Sequence, residues 1–209
     1  MFIKKYLLIL CSILILTIQN IASASTLLVM GDSLSAAYNL PQQDGWVNLL
    51  EKQLSITHPT VKVINASISG ETTQGGLSRF ASLLTTQQPS WVIIELGAND
   101  ALRGYPLNQT TLNIEKMVDQ AQDAGAIVLL LGNQIPQNYG KRYTQMFYNL
   151  YKKVADQYQL LYMPFMLKDV ATSTNLMLSD GLHPNKEGQT VVLKNIQPYI
   201  EKLLGSNKE

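Results

Sequence analysis

Two short segments carry side chains that could do nucleophilic chemistry together. Gly31-Asp32-Ser33-Leu34-Ser35 offers a hydroxyl, and Asp180-Gly181-Leu182-His183-Pro184-Asn185 offers an imidazole with a carboxylate three positions before it. A carboxylate that accepts a histidine Nδ1–H fixes the tautomer and leaves Nε2 free as a base. It also favours the imidazolium that forms when the base takes a proton. Two other segments offer donors for a developing negative charge. Gly70, in Asn65-Ala66-Ser67-Ile68-Ser69-Gly70, can turn a backbone N–H into a cleft, and Asn99, in Gly97-Ala98-Asn99-Asp100, can present a side-chain amide.

Each segment alone has an ordinary reading. Asp32 or Ser33 could cap a helix, where backbone N–H groups and the helix dipole favour negative charge. Asp100, directly after Asn99, reads as a turn-shaping residue. Asp180 and His183 could be a structural pair or metal ligands. A catalytic zinc takes about three protein ligands, and the chain has just one other histidine, His58, beside Pro59. No metal site is therefore expected.

The elements between these segments place them. Apolar runs recur at Leu27–Met30, Val61–Ile64, Trp91–Leu96, Ile127–Leu131 and Leu160–Met163. Several are continuous, as in strands buried on both faces. Helical stripes separate them: Trp46, Val47, Leu50 and Leu54; Leu77, Phe80, Ala81 and Leu84; Ile114, Met117, Val118 and Ala121. A longer one runs Tyr143, Met146, Phe147, Leu150, Tyr151 and Val154. The last, Val192, Ile196, Tyr199, Ile200 and Leu203, contains Pro198, where a kink or break is expected. Strand–helix alternation predicts an α/β fold with a parallel sheet covered on both faces. In such a sheet ligands sit beyond the carboxyl ends of the strands. Ser33, Gly70, Asn99 and the Asp180–His183 pair all follow strands, so they fall on one edge. His58 precedes the second strand and falls on the other.

Composition removes other classes. With 16 basic and 15 acidic residues in 209, and 46% hydrophobic content, there is no electrostatic footprint for nucleic acid and no compositional sign of disorder. One cysteine, Cys11, excludes a disulfide framework. Lys4 and Lys5, an apolar run over 6–18 and Ala22-Ser23-Ala24 have the layout of a secretory signal. Residues 1–24 are therefore expected to be cleaved, leaving one domain over 25–209, periplasmic or secreted, without a membrane anchor.

The four segments together closely resemble the SGNH, or GDSL, hydrolase family, whose blocks match Gly31-Asp32-Ser33-Leu34, Gly70, Gly97-Ala98-Asn99-Asp100 and Asp180-x-x-His183 in order. Asn65–Gly70, Trp91–Asp100 with Leu102-Arg103-Gly104, and Asn138–Tyr143 look like a subgroup of bacterial periplasmic thioesterases, lysophospholipases and arylesterases. The resemblance implies a three-layer sandwich with a five-stranded parallel flavodoxin-like sheet. It implies Ser33 as nucleophile, His183 as base and Asp180 as its orienter. The Ser33 and Gly70 N–H groups and the Asn99 amide would form the oxyanion hole. It also implies a monomer acting on small acyl esters or thioesters (lysophospholipid, acyl-CoA-like or aryl) without a cofactor. Loops Ala101–Leu107 and Gln134–Tyr139 carry Leu102, Tyr105, Pro106, Leu107, Ile135 and Pro136, which suits an acyl chain better than the sugar of a carbohydrate O-deacetylase. A non-catalytic periplasmic lipid- or sugar-binding protein would need no aligned Ser33, Asp180 and His183.

Overall fold

The structure is a computed structural model that describes residues 25–206; the predicted leader over 1–24 lies outside the described residues. Its five strands are β1 (Ser25–Gly31), β2 (Val61–Asn65), β3 (Trp91–Glu95), β4 (Ile127–Leu131) and β5 (Leu161–Met163). All neighbouring pairs are parallel, in the order β2-β1-β3-β4-β5. Parallel neighbours need crossover connections, and helices supply them. They are α1 (Trp46–Thr57), α2 (Thr73–Gln87), α3 (Ala98–Leu102), α4 (Leu107–Asp123), α5 (Lys141–Tyr158) and α6 (Lys186–Gly205).

Alternation along the strands divides the core in two. Leu27, Val29, Ile93, Leu129 and Leu131 face one way, against Trp46, Val47, Leu50 and Leu54 of α1 and Val192, Ile196, Ile200 and Leu203 of α6. Leu28, Met30, Val92, Ile94, Val128 and Leu130 face the other, against Phe80 of α2, Ile114 and Met117 of α4, and Phe147, Tyr151 and Val154 of α5. Helix on sheet on helix is the three-layer arrangement expected from the sequence, with strand limits displaced by a residue or two. Two stripe positions do not reach the core. Ala81 is exposed, and Met146 lies on the solvent side of α5.

Pro198 does not break α6, which runs unbroken through it. The proline forfeits one backbone bond. Buried Val192 and Ile196 before it and Ile200 and Leu203 after it hold both halves against the sheet. His58, predicted at the far edge, is the exposed C-cap of α1.

Strand order reverses between β1 and β3, so the turns leaving these two strands diverge and open a crevice. The first carries Ser33 and the second Asn99. The β4 exit forms the next wall. There Gly132 donates to Met163 O at 2.7 Å, and its own carbonyl accepts from Met166 N at 3.3 Å. A Cβ at this position would press on the Pro164 carbonyl. Gly132→Ala must therefore push apart two buried backbone segments. It is expected to cost about 1–3 kcal/mol, or roughly 2–12 °C in Tm, for a chain this size. Thermal unfolding of the variant checks this, and an unchanged Tm would contradict the close approach.

Candidate active site

Leaving β1, the chain makes a series of turns over residues 32–40. Ser35 N and Ala36 N both donate to Asp32 O, at 3.2 and 2.9 Å, and start one helical turn. It stops there because Ala37 and Asn39 take left-handed backbone conformations, with φ of 57° and 55°. Of the two caps the sequence allowed, Asp32 is the one that caps this single turn, its carbonyl accepting Ala36 N and its Oδ1 accepting Leu34 N at 3.0 Å. Ser33 follows it in the same turn.

His183 arrives from a small closed loop. Met177 and Pro184 form an isolated antiparallel bridge, and Leu178 N donates to His183 O at 2.7 Å. Asn185 then caps α6 by accepting Gly188 N at 2.9 Å. The Asp180 Oδ1 accepts Leu182 N and His183 N, at 2.9 and 3.0 Å, while Oδ2 lies 2.8 Å from His183 Nδ1. The opposite ring nitrogen, Nε2, lies 2.8 Å from Ser33 Oγ across 150 residues. The structure therefore brings Ser33, His183 and Asp180 into one hydrogen-bonded chain. Partial burial raises the Asp180 carboxyl pKa. Hydrogen bonds from Leu182 N–H, the His183 ring and His183 N–H outweigh it, and the net value lies below the ordinary carboxylate range.

Gly70 and Asn99 border the same cavity, of about 250 Å³, with Ser33 and His183. The Ser33 and Gly70 N–H groups make no hydrogen bond to protein among the described residues. Arg103 holds the Gly70 peptide from behind, donating to its carbonyl at 2.8 Å. Asn99 lies in the first turn of α3, after Gly97 at φ 122°, where a Cβ would meet the Tyr151 hydroxyl at 2.7 Å. That hydroxyl, fully buried, donates to Leu96 O at 3.0 Å and braces the turn. Asn99 Nδ2 donates to Asp32 Oδ2 at 3.0 Å, which fixes the amide orientation and leaves its second N–H for the cavity. Asp100 shapes this region, as expected. It is buried and accepts Thr73 N at 2.8 Å and Thr73 Oγ1 at 2.5 Å. Among the described residues there is no cluster of three His, Cys, Asp or Glu side chains that could hold a metal.

Leu34, Leu102, Ile135, Pro136, Leu167 and Leu182 give the cavity an apolar wall. Of the two loops read as cleft-lining, Leu102, Ile135 and Pro136 do line the cavity, whereas Tyr105, Pro106 and Leu107 do not, and Tyr105 is exposed. Three contributors escaped the sequence reading. Tyr38 stacks on His183, with ring centroids 4.3 Å apart and planes at 33°. Asn133, 2% exposed, lines the wall, and its Nδ2 has no protein partner. Glu95, 1% exposed, closes β3 beneath the Ser33 turn. Its one available signal was a carboxylate inside the otherwise apolar run Trp91–Leu96.

Residues 29–191 match the GDSL-like Lipase/Acylhydrolase family, and the chain belongs to it. It is thus an ester hydrolase of the SGNH class, with the five-stranded parallel sheet of that class. Among its relatives is the arylesterase of Vibrio mimicus, 44% identical over 182 residues, which span 87% of this chain and 91% of that one. The thioesterase 1/protease 1/lysophospholipase L1 of Escherichia coli (strain K12) is 39% identical over 192 residues, 90% of each chain. A solved structure of the psychrotrophic esterase EstA from Pseudoalteromonas sp., inhibited by monoethylphosphonate, superimposes with a TM-score of 0.83. It is 41% identical, and the match covers 87% of this chain and 100% of that one. Among the described residues, no helix is long and apolar enough to cross a membrane.

Glu95 and Asp32 form a buried acid pair. Glu95 Oε2 accepts Ser35 Oγ at 2.8 Å and Asp32 N at 3.3 Å. Burial pushes both upward, Glu95 well above the ordinary range and Asp32 to about 6, the latter held down by Leu34 N–H, His183 and Asn99. Burial and the neighbouring Asp32 carboxylate thus favour the protonated form of Glu95. The native state binds this proton more tightly than the unfolded chain. The resulting stability is complete below the unfolded carboxylate pKa and declines as pH rises through the folded values. Glu95→Gln, an uncharged stand-in for the protonated acid, is expected to narrow the fall in Tm between pH 5 and pH 8. The narrowing should be about 2–4 °C for each kcal/mol that the pair costs. A variant as pH-sensitive as the parent would contradict a protonated Glu95.

Proposed function

We propose that the protein is a serine esterase that cleaves single-chain acyl esters and thioesters through an acyl-enzyme, with Ser33 as nucleophile. The observation that carries this reading is the 2.8 Å contact between Ser33 Oγ and His183 Nε2. His183 takes the hydroxyl proton as Oγ bonds to the substrate carbonyl carbon. The carbonyl oxygen becomes an oxyanion, held by the free N–H groups of Ser33 and Gly70 and the second N–H of Asn99. Collapse re-forms the carbonyl and breaks the ester C–O or thioester C–S bond, and His183 returns the proton to the leaving group. Water repeats the sequence on the acyl-serine, releasing the acid and restoring Ser33. Asp180 stays ionised and holds the imidazole in the required tautomer.

The apolar wall from Leu34 to Leu182 suits an aliphatic acyl chain, and the names of the relatives point to aryl, thioester and lysophospholipid leaving groups. The basic, apolar, small-residue order of residues 1–24 supports export, with a mature chain beginning at Ser25.

Ser33→Ala is expected to lose turnover of a p-nitrophenyl ester while keeping the parent Tm. Asn99→Ala is expected to lower kcat by about 10²–10³; an unchanged kcat would remove its amide from the oxyanion site. Across a series of p-nitrophenyl esters, kcat/KM should rise by up to about fourfold per added methylene until the wall is covered. A maximum at acetate would support deacetylation instead.

A further inference from the structure

The imidazole of His183 is tethered at its two nitrogens, by Asp180 and by Ser33. Together with the Cβ–Cγ bond, those contacts place the ring, and the motion left to it is a tilt about Cβ–Cγ that bends both hydrogen bonds. A contact on a ring face resists that tilt. Tyr38 supplies one, with ring centroids 4.3 Å apart.

The backbone around Tyr38 is built for this contact. Ala37 and Asn39, on either side, both sit in the left-handed region without being glycine. Strained non-glycine positions persist where the surrounding structure enforces them, and they cluster at functional sites. Here they turn Tyr38 out of the turn series and over the imidazole. Tyr38 N also donates to Ser33 O at 3.3 Å. The residue therefore touches the nucleophile through its backbone and the base through its side chain. The phenol is 38% exposed, and its hydroxyl makes no hydrogen bond to protein among the described residues. The ring, not the hydroxyl, makes the structural contact.

Resting on the esterase reading above, we propose that Tyr38 is a positioning residue for the reaction: its ring restrains tilting of the His183 imidazole and stabilises the imidazolium formed as Ser33 attacks. An aromatic face attracts a cation most when the cation carries full charge. The contact therefore strengthens along the reaction and acts on kcat. The other charged groups facing the ring are Asp180, from its own loop, and Asp32, from the turn that carries Ser33.

The test uses the mature enzyme and its Tyr38→Phe and Tyr38→Leu variants. A short-chain p-nitrophenyl ester is assayed for kcat, KM and the pH dependence of kcat/KM. Parent activity that disappears in Ser33→Ala establishes the esterase reading first, so the Tyr38 variants then test this inference alone. Phe is expected to stay within about twofold of the parent. Leu should lower kcat about two- to fivefold with little change in KM. It should also move the acidic limb of the profile about 0.3–0.7 pH units lower, because the imidazolium loses its aromatic face. A far-UV spectrum and Tm equal to the parent's show that the Leu variant is folded. A Leu variant with parental kcat and acidic limb would overturn the proposal. So would a change in KM alone, which marks a substrate contact, or a Phe variant as impaired as Leu, which assigns the effect to the hydroxyl.

Discussion

One hydrogen bond, from Ser33 to His183, sets the demands on the rest of the structure. Its partners are 150 residues apart and must meet within 2.8 Å. A parallel sheet makes this possible because each crossover returns the chain to the same edge. The exits of β1 and β3 diverge at the reversal of strand order, and the loop ahead of α6 closes the cleft from the side. Gln189 of α6 accepts Trp46 N of α1 at 3.0 Å, tying the helix behind His183 to the helix that follows the Ser33 turn. The two-sided core thus serves as a rigid mount for a few polar atoms.

Those atoms are held by a second layer of polar contacts. Asp32 receives Asn99 and Leu34, Glu95 receives Ser35 and the Asp32 backbone, and Tyr151 braces the Leu96 carbonyl. Each bond restricts a group that would hold or place the oxyanion. Burying two acids side by side is costly unless one stays neutral. Burial favours the protonated form of Glu95, which anchors the Ser33 turn by accepting Ser35 Oγ and Asp32 N. The same layer limits reorganisation when charge develops, the property on which electrostatic catalysis rests.

The sheet, its two covered faces and the edge where the candidate site gathers were legible in the sequence, because five apolar runs alternated with helical stripes and the candidate residues followed strands. Ser33, Gly70, Asn99, Asp180 and His183 were legible as a set for the same reason. The backbone of the Ser33 turn was not. Ala37 carries no sign of a left-handed conformation, and Asn39, of a type that tolerates one, only permits it; the cause is tertiary. Tyr38 was hidden because a lone aromatic in a loop has no periodicity, and its partner lies in a distant segment. Glu95 was readable as an anomaly inside a strand, but which acid it would pair with depended on strand order. Pro198 shows the opposite limit, where local helix-breaking chemistry yields to apolar residues that pin both halves of α6 to the sheet.

The identity of the nucleophile is the centre of this description, and its most direct measurement is covalent. The mature protein would be incubated with an alkyl organophosphonate, digested, and mapped by mass spectrometry. One adduct, on the peptide carrying Ser33 and suppressed when His183 is replaced by alanine, is the expected result. An adduct on another residue while Ser33 stays unmodified, or full esterase activity in protein whose Ser33 is stoichiometrically labelled, would contradict it.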